Sequence, residues 1–399
     1  MTIPDELLTR AVAEIVVERR LRARLEAGRP LRLKQGFDPT KPQMHIGHAV
    51  GLRKLRRFQE LGHTVVLIVG DWTAQIGDPS DRRSARPRLS AETVRENAET
   101  YMEQFFRVVD RQRTEVRWQS EWYGRFDLQQ ALELVGRFTL AQMLAHETFR
   151  RRYEAGSPVT LLELMYPMLQ GYDSVAVGAD VELGGTDQKF NILTGRELMA
   201  QLGMEPQEAL LLPLIPGIDG RKMSKSFGNT VDLTMPPFEK YSRVMALSDA
   251  ALPLLFETLS DAPLAEVREM ARAIEAGAVH PMELKKRLAR EIVAQLDSPA
   301  AAAQAEEEWT ARFSRREWPD SMPEFTIMAA TNIVELLVAA GLAPSKSEAR
   351  RLIAAGAVRV DGARVDGQDL VIEPAAEPVV QVGRRRFVRV RQAPQRRTA

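Results

Sequence analysis

Residues 36–48 decide the fold, and they read Gly36-Phe37-Asp38-Pro39-Thr40-Lys41-Pro42-Gln43-Met44-His45-Ile46-Gly47-His48. The preceding residues, 31–35, have the pattern of a short strand, and apolar residues recur at helical spacing from Ile46 until Gly62. A second apolar run at 64–69 predicts a buried strand. Strand, turn, helix and strand make one right-handed crossover unit, whose turn lies at the carboxyl end of the first strand.

The turn carries two histidines, His45 and His48, at the start of the predicted helix. Free backbone amides at a helix start favour anions, so this pair is a candidate phosphate site. Gly47 lies between them and has no side chain, so a flat ring could lie directly on the backbone. A histidine pair at a helix start is also common in ordinary surface or polar packing, so the motif needs a second one to indicate a site.

The composition is that of a globular protein with room for two or three domains in its 399 residues, of which 44% are hydrophobic and 27% charged. The absence of cysteine excludes disulfide frameworks, thiolate catalysis and zinc–thiolate sites. No apolar run reaches the roughly 18 residues of a membrane helix. Residues 1–28 lack the apolar block of a signal peptide. We therefore expect a cytoplasmic protein without a membrane partner.

The net charge of +1 hides an asymmetry along the chain. Residues 330–399 carry 12 Lys/Arg against 7 Asp/Glu, whereas the rest of the chain is mildly acidic. A basic terminal module of this kind indicates that a polyanion is bound at that end.

Strand and helix patterns alternate over residues 30–226, which predicts a mostly parallel sheet. The pattern is helical from Pro237 to about Trp318, and short helices and strands follow from Asn332. We also expect one continuous helix over residues 4–26. The predicted fold is α/β, with its parts in this order: a Rossmann-like parallel-sheet domain at 1–229, an all-helical domain at 230–325, a small basic α+β domain at 330–392, and a disordered tail at 393–399.

A second motif, Lys222-Met223-Ser224-Lys225-Ser226, follows the predicted strand 210–215 and a glycine-containing turn. A flexible loop of this kind can close over a triphosphate and place two ammonium groups where negative charge grows at phosphorus. By itself the string is typical of an exposed, solvated loop. Together with a histidine motif at a strand end, it predicts a nucleotide site.

The two motifs together resemble the signatures of class I aminoacyl-tRNA synthetases. Other segments narrow the resemblance to the bacterial tyrosyl-tRNA synthetases, and they are Gly36-Phe37-Asp38-Pro39-Thr40, Gly77-Asp78-Pro79-Ser80, Tyr166 with Gln170 and Asp173, and Gly184-Gly185-Thr186-Asp187-Gln188. The basic terminal module is similar to an RNA-binding domain first named in a small-subunit ribosomal protein. Each short motif is moderately specific, but the ordered set is very specific and spans the chain.

The resemblance implies an enzyme that activates tyrosine with ATP and transfers it to the terminal ribose of its tRNA. The carboxylate of the amino acid attacks the α-phosphorus, so the protein supplies positioning and charge stabilisation rather than a nucleophile. ATP is then a substrate, with Mg²⁺ expected on its triphosphate. The expected partners are tyrosine, tRNA and a second copy of the chain, in a homodimer that contacts around residues 125–165. No DNA partner is expected.

The resemblance also assigns residues. It implies catalytic roles on the phosphates and nucleotide for Thr40, His45, His48, Lys222 and Lys225. It implies ATP contacts for Gly36, Asp38, Gly47, Gly185, Asp187, Arg82 and Arg86. It implies contacts with the tyrosine substrate for Asp78, Tyr166, Gln170, Asp173 and Gln188. Two assignments have plain alternatives, since the arginines also fit a solvated loop and Asp78 also fits an Asp-Pro turn.

Tyr166, Gln170 and Asp173 are spaced i, i+4 and i+7, so they share one face of a helix, although ordinary amphipathic patterning has the same spacing. In the family, the acid matching Asp173 accepts the phenol proton and thereby discriminates against phenylalanine. One residue departs from the pattern, because many members have a tyrosine where this chain has Lys34. Either this branch recognises the hydroxyl differently, or the amino acid is not tyrosine.

The terminal module is expected to bind RNA phosphates through its basic side chains, and these are Lys346, Arg350, Arg351, Arg384 and Arg386. A solvated basic surface is the alternative. For residues 230–325 the resemblance implies recognition of the anticodon stem, and a plain helical bundle is the alternative. Three other functions stay open: a tryptophanyl enzyme, a synthetase-derived RNA-binding regulator without catalysis, and adenylate formation for an acceptor other than tRNA.

Overall fold

The predicted crossover unit lies at the middle of a six-stranded sheet. A computed structural model describes residues 5–79, 89–313, 322–373, 377–383 and 386–392. The strands of this sheet are β1 (Glu14–Ile15), β2 (Arg32–Phe37), β3 (Thr64–Val69), β4 (Thr114–Trp118), β5 (Val181–Gly185) and β6 (Glu208–Leu212). Their order across the sheet is β1-β6-β5-β2-β3-β4, and all neighbours are parallel except the pair β1 and β6. The winding direction reverses between β5 and β2, where a crevice opens at the carboxyl ends of the strands.

This sheet belongs to the first of two compact units, Met1–Glu306 and Glu307–Ala399. The helices of the sheet region are α1 (Asp5–Thr9), α2 (Glu18–Glu26), α3 (Ile46–Glu60), α4 (Thr73–Ile76), α5 (Ala91–Phe105), α6 (Ser120–Tyr123), α7 (Leu128–Val135), α8 (Leu140–Met143), α9 (Glu147–Glu154), α10 (Leu161–Val177) and α11 (Lys189–Gln201). Residues 65–69 of β3 are all buried, as expected of a parallel strand covered on both faces. Arg82, Arg86 and Arg384, with the predicted tail 393–399, lie outside the described residues.

Helix α3 begins directly after the histidine turn, as predicted. His45 is its N-cap in extended backbone conformation, and its side chain accepts a hydrogen bond from the Gly47 amide. The apolar face of the helix, including Leu52, Leu55 and Phe58, is fully buried. Each such side chain contributes roughly 1.5–3 kcal/mol on burial, more than the ~1 kcal/mol of a good cap. Packing therefore holds the helix, and the cap sets where it starts.

Helix α10 carries the predicted stripe of substrate-binding residues. Thr160 and Glu163 form a reciprocal capping box at its start, and Gly178 ends it in the left-handed conformation with φ 61°. Pro167 lies inside the helix and Gly171 packs against the backbone of Gly195 on α11. A Cβ at Gly171 would lie 3.0 Å from the Gly195 Cα, so the two helices approach each other closely here.

The predicted helix over residues 4–26 is wrong. The chain forms α1, then the short strand β1, and only then α2. Ala11 adopts φ 52°, which breaks the helix, and Glu14 and Ile15 pair with Leu211 and Leu210 of β6. Completing the edge of the sheet therefore outweighs the local amphipathic pattern.

The helical stretch predicted after Pro237 consists of α12 (Pro237–Met245), α13 (Leu252–Leu259), α14 (Leu264–Glu275), α15 (Pro281–Leu296) and α16 (Pro299–Phe313). Residues up to 306 cluster with the sheet as one unit, and the division of the chain falls within α16. A separate domain at 230–325 stays a prediction. In the ranges described above, no helix combines the length and apolar character of a bilayer crossing.

The second unit has its own small core. Its elements are β7 (Glu324–Ile327), β8 (Thr331–Asn332), α17 (Ile333–Ala339), α18 (Lys346–Ala354), β9 (Val358–Val360), β10 (Ala363–Arg364), β11 (Val371–Ile372), β12 (Val379–Val382) and β13 (Arg386–Gln392). A five-stranded sheet runs β10-β9-β12-β13-β7, and β11 pairs with β8. The core combines Ile333 and Leu337 of α17 with Val380 of β12 and Val390 of β13. Short helices and strands follow Asn332 as predicted, and β7 precedes them in the chain.

Candidate active site

A cavity of about 570 Å³ opens at the carboxyl ends of β2 and β5, at the switch point of the sheet. Every predicted catalytic, ATP-binding and tyrosine-binding residue within the described ranges lines it, and these are Gly36, Asp38, Thr40, His45, Gly47, His48, Asp78, Tyr166, Gln170, Asp173, Gly185, Asp187, Gln188, Lys222 and Lys225. The fold thus brings together residues from five separate segments of the chain.

The two histidines face each other at the first turn of α3, with ring centroids 3.9 Å apart. The His45 amide donates to His48 Nδ1 at 3.1 Å, and the Gly47 amide donates to His45 Nδ1 at 3.2 Å. Because each Nδ1 accepts a hydrogen bond, a neutral ring carries its proton on Nε2. Both rings can therefore donate an N–H to an anion in the cavity. A Cβ on Gly47 would lie 2.8 Å from His45 Nδ1, so no side chain fits there.

Burial keeps both imidazoles neutral. It lowers the pKa of His45 to about 3, with the Lys225 and Lys222 charges adding to the effect. The pKa of His48 is also lowered well below its usual value, mainly by burial and then by the neighbouring His45. The histidines are therefore hydrogen-bond donors at neutral pH, and the positive charge of this site comes from the lysines.

The loop with the two lysines folds over the same cavity. Lys222 Nζ lies 2.7 Å from Asp187 Oδ2, and Lys225 Nζ donates to the Tyr101 hydroxyl at 2.9 Å. Asn229 shapes the loop, since its Oδ1 accepts from the Ser224 amide at 2.8 Å and its Nδ2 donates to the Lys222 carbonyl at 3.0 Å. The Ile46 amide donates to the Val231 carbonyl at 2.9 Å, which ties the histidine turn to the end of the loop.

Two further carboxylates lie around the middle of the cavity. Asp38 accepts from the Tyr166 hydroxyl at 2.9 Å and from the Thr73 hydroxyl at 2.7 Å. Asp78 accepts from Gln188 Nε2 at 2.6 Å. Both residues line the cavity, so this region suits a cationic ligand group.

Asp173 closes the far end of the cavity and is 2% exposed. Its two oxygens accept from Gln119 Nε2 at 2.8 Å and from Trp122 Nε1 at 3.2 Å. Burial raises the pKa of Asp173 to about 7, although the nearby Lys34 charge and the Gln119 hydrogen bond act to lower it. A desolvated carboxylate of this kind suits a ligand hydroxyl that donates to it.

Lys34, the residue that departs from the family pattern, does not line the cavity. It is fully buried beside it, and its Nζ lies 2.9 Å from Glu182 Oε1. Coulombic attraction from Lys34 is one of the effects that lower the pKa of Asp173. The position thus contributes positive charge behind the pocket rather than a hydroxyl within it.

Several residues in or beside the cavity were missed by the sequence interpretation. Gln119 and Thr73 line the cavity, Trp122 donates to Asp173, and Tyr101 holds Lys225. Trp122 lies in a short aromatic-rich segment, which is a weak signal. Tyr101 is on a helix that has no motif, and its position depends on tertiary packing alone.

Other predicted residues lie elsewhere. Lys346, Arg350 and Arg351 are on α18 and Arg386 is on β13, all in the second unit. Lys346 pairs with Glu335 at 2.7 Å, Arg351 pairs with Glu348 at 2.9 Å, and Arg350 is exposed. Within the described part of the chain, no group of three or more His, Asp or Glu side chains has the arrangement of a metal site.

Two family models match the chain. Residues 26–314 match the family described as tRNA synthetases class I (W and Y). Residues 316–388 match the family described as tyrosine–tRNA ligase SYY-like C-terminal domain. The first match alone covers more than half of the chain.

Curated relatives match over almost the full length. A tyrosine–tRNA ligase of Dehalococcoides mccartyi (strain CBDB1) is 49% identical over 386 residues, which cover 96% of this chain and 97% of that protein. A tyrosine–tRNA ligase of Thermotoga maritima is 44% identical over 391 residues, covering 97% and 98%.

Solved structures share the fold. The tyrosyl-tRNA synthetase of Archaeoglobus fulgidus, in complex with L-tyrosine, is 23% identical with a TM-score of 0.60, and the match covers 75% of this chain and 98% of that one. A truncated mitochondrial tyrosyl-tRNA synthetase of Aspergillus nidulans is 20% identical with a TM-score of 0.63, covering 76% and 91%. The predicted α/β fold is thereby confirmed.

Proposed function

The chain belongs to the tyrosine–tRNA ligases of the class I tRNA synthetase family, and from this membership we propose how its residues divide the reaction. The enzyme joins tyrosine to tRNA and uses ATP as a substrate. The observation that carries the proposal is the convergence of the histidine turn, the lysine loop and Asp173 on one cavity.

The ATP half of the site comprises Thr40, the two histidines and the two loop lysines. His45 and His48 donate through Nε2, and the lysines supply the charge that the neutral imidazoles lack. Negative charge grows on the leaving pyrophosphate when the tyrosine carboxylate attacks the α-phosphorus, so fixed cations on that side stabilise the transition state more than the ground state.

The remaining ATP contacts are assigned to Gly36, Asp38, Gly47, Gly185 and Asp187. Gly185 supports this role because a Cβ there would lie 2.4 Å from Asp187 Oδ1, which leaves the backbone bare beneath a ribose. Asp187 is an acceptor that suits ribose hydroxyls, and Lys222 pairs with it. Arg82 and Arg86 stay proposed pyrophosphate contacts.

The tyrosine half comprises Asp78, Tyr166, Gln170, Asp173 and Gln188. Asp78, next to Gln188, accepts from the substrate ammonium, and Asp173 accepts the phenol proton at the other end. The distance between these acceptors sets the length of the amino acid. A phenylalanine ring would leave the buried Asp173 without that donor, at a cost of about 1–3 kcal/mol.

Mg²⁺ is proposed to arrive with the triphosphate. Mg²⁺ keeps several waters and is commonly held by substrate phosphates with only one or two carboxylates. Asp38 and Asp187 are the carboxylates near the assigned phosphate and ribose positions. Bound there, the ion would neutralise part of the triphosphate charge, while the lysines and histidines orient it.

We propose a homodimer that contacts around residues 125–165, in the cytoplasm where tRNA is charged. Large apolar side chains of the first unit are exposed in this range, namely Leu128, Leu132, Leu140, Tyr153 and Leu161, at 75%, 62%, 58%, 65% and 80%. Exposed apolar side chains that recur along one segment in this way are compatible with an interaction surface.

The tryptophanyl alternative is not favoured, because the curated relatives matching over nearly the whole chain are tyrosine–tRNA ligases. The same relatives do not favour a regulator without catalysis. The unit at 307–399 is proposed to bind tRNA phosphates, which argues against an acceptor other than tRNA, and residues 230–325 to recognise the anticodon stem.

Pyrophosphate exchange into ATP, measured with each standard amino acid in turn, tests the activation step. We expect tyrosine to support exchange and tryptophan and phenylalanine to support little. Replacing His48 with alanine should lower the tyrosine-dependent rate by about 100-fold, because one transition-state donor is lost.

The matched control is His63→Ala. His63 is also buried and its Nδ1 also accepts a backbone amide, from Leu31 at 3.1 Å, but it does not line the cavity. Equal losses of exchange in the two variants would show that His48 has no specific role in the reaction. Exchange supported by another amino acid would contradict the assignment of tyrosine as the substrate.

Arg350→Gln tests the RNA contact of the second unit. Arg350 is exposed on α18, so its loss should weaken tRNA binding and reduce the slope of log affinity against log salt by about 1. Tyrosine-dependent exchange without tRNA serves as the internal control and should not change. An unaltered salt slope would show that Arg350 does not contact phosphate.

A further inference from the structure

A buried ion pair lies behind the amino-acid end of the cavity. Lys34 on β2 and Glu182 on β5 occupy facing positions in neighbouring parallel strands. Lys34 Nζ lies 2.9 Å from Glu182 Oε1, and the two side chains are 0% and 1% exposed.

All three donors of the Lys34 ammonium have acceptors. Besides Glu182, they are the main-chain oxygen of Gln170 and the hydroxyl of Ser174, both at 2.9 Å. These two residues belong to α10, which carries the proposed tyrosine contacts. A buried ion pair gains little net stability over an apolar pair of the same volume. Its effect therefore lies in the groups that it orients.

Glu182 fixes the side-chain amide of Gln170. An ionised carboxylate only accepts hydrogen bonds, so the group that Gln170 turns toward Glu182 Oε1, at 3.1 Å, is its Nε2. The other carboxylate oxygen of Glu182 accepts from Ser174 at 3.2 Å and from Gln207. With its nitrogen held against the sheet, Gln170 turns its carbonyl oxygen the other way.

Because Gln170 lines the cavity and its nitrogen is held by Glu182, its oxygen is the acceptor that the amide can turn toward a ligand there. The same wall carries the carboxylates of Asp38 and Asp78. Acceptors of this kind suit a cation, and the ammonium is the cationic group of an amino acid. If the amide were reversed, its N–H groups would face that ammonium and repel it.

We propose that Lys34 and Glu182 are positioning residues of the amino-acid site, which lock the Gln170 amide so that its oxygen accepts from the substrate ammonium. The inference rests on the proposed function, because it takes tyrosine as the ligand of this cavity. The two residues have different roles in this positioning. Glu182 selects the orientation of the amide, and Lys34 holds the Glu182 oxygen in place.

The test uses the full-length protein and two ligands, L-tyrosine and 3-(4-hydroxyphenyl)propanoate. The second ligand keeps the phenol and the carboxylate but lacks the ammonium. In the double variant Lys34→Met/Glu182→Gln, both charges are removed together, so no buried charge is left alone. The new amide at position 182 can donate as well as accept, so it no longer dictates the orientation of Gln170.

Calorimetric titration should show that the double variant binds tyrosine about 10-fold more weakly, since one hydrogen bond to a charged group is lost. Its affinity for 3-(4-hydroxyphenyl)propanoate should stay unchanged. Glu182→Gln alone should keep the wild-type ratio of the two affinities, because the Lys34 ammonium still selects an oxygen at the Oε1 position. In a Gln170→Ala background the double variant should have no further effect on the ratio.

Lys240→Met/Asp297→Asn is the control, because Lys240 is also fully buried and paired with an acid, away from the cavity. An unchanged ratio in the folded Lys34 and Glu182 variant would overturn the inference, as would an equal loss for both ligands. If that variant does not fold, Lys34→Gln/Glu182→Gln replaces it, with the same two outcomes. A wild-type protein that does not bind tyrosine would instead overturn the proposed function.

Discussion

Replacing Lys222 and Lys225 together with methionine should lower tyrosine-dependent pyrophosphate exchange by at least about 1,000-fold, with little change in tyrosine affinity. Both histidines are neutral at the working pH, since burial lowers the pKa of each. The two lysines are therefore the cationic side chains of the loop that line the cavity. These two lysines therefore have to stabilise the negative charge that grows on the leaving pyrophosphate.

The arrangement of the loop explains why the loss should fall on the rate rather than on tyrosine binding. Met223, between the lysines, is 3% exposed and anchors the loop to the body of the unit. Lys222 and Lys225 both lie on the side of the cavity that we assign to the nucleotide, where they contact Asp187 and Tyr101. The control is Lys285→Met/Lys286→Met on α15, which removes the same charge outside the cavity.

The pH dependence of kcat/KM for ATP tests the contribution of Lys225 apart from that of the other loop residues. Burial lowers the pKa of Lys225 to about 8, so the residue is cationic below that pH and becomes neutral above it. The rate should therefore fall as the pH rises through about 8, and Lys225→Arg should remove this alkaline limb because a guanidinium stays charged. An alkaline limb that is the same in both proteins would contradict the role given to Lys225.

The sequence predicts the strands and helices of the parallel-sheet region well, because the sequence patterns that indicate them are local and repeated. The apolar spacing of Ile46, Leu52 and Phe58 fixes one face of α3, and the glycine at 62, with φ 93°, ends that helix region. Where the sequence misleads, a long-range contact decides. The pattern of residues 4–26 predicts one helix, but Glu14 and Ile15 instead form a strand that pairs with β6, which is distant in the sequence.

The same distinction applies to the site. His45, Lys222 and Asp173 stand in motifs, so they can be proposed from the sequence. Gln119 and Tyr101 stand in no motif, and only the packing of β4 and α5 around the cavity brings them to Asp173 and Lys225. Lys34 is a case between the two. The sequence marks it as a departure, but its partner Glu182 follows only from the register of β2 and β5.

Replacing Asp173 with asparagine should reduce the preference for tyrosine over phenylalanine by about 100-fold, with a change of less than about 3-fold in KM for ATP. Both oxygens of Asp173 already accept hydrogen bonds, from Gln119 and Trp122. An asparagine has one acceptor oxygen, so its NH₂ group must face one of these donors. The variant therefore loses the geometry of these two hydrogen bonds as well as the negative charge. The phenol hydroxyl of tyrosine then has no acceptor at this position.

The pH dependence of tyrosine binding gives a second readout of the same carboxylate. Burial raises the pKa of Asp173 to about 7. A phenol that donates to the ionised form lowers this pKa again, so tyrosine binding releases a proton near neutral pH and weakens as the pH falls below about 7. Phenylalanine has no hydroxyl, so its binding should release no proton at this site.

Asp180→Asn is the matched control for Asp173→Asn, because Asp180 is also buried and accepts hydrogen bonds, from Arg32 among others, but lies outside the cavity. The ratio of kcat/KM for tyrosine to that for phenylalanine, measured in pyrophosphate exchange, should collapse only in the Asp173 variant. An equal loss of tyrosine and ATP use would mean that Asp173 supports the fold of the cavity rather than the choice of amino acid. A preserved ratio would mean that the hydroxyl is recognised elsewhere, and the orientation of tyrosine in this cavity would have to be reversed.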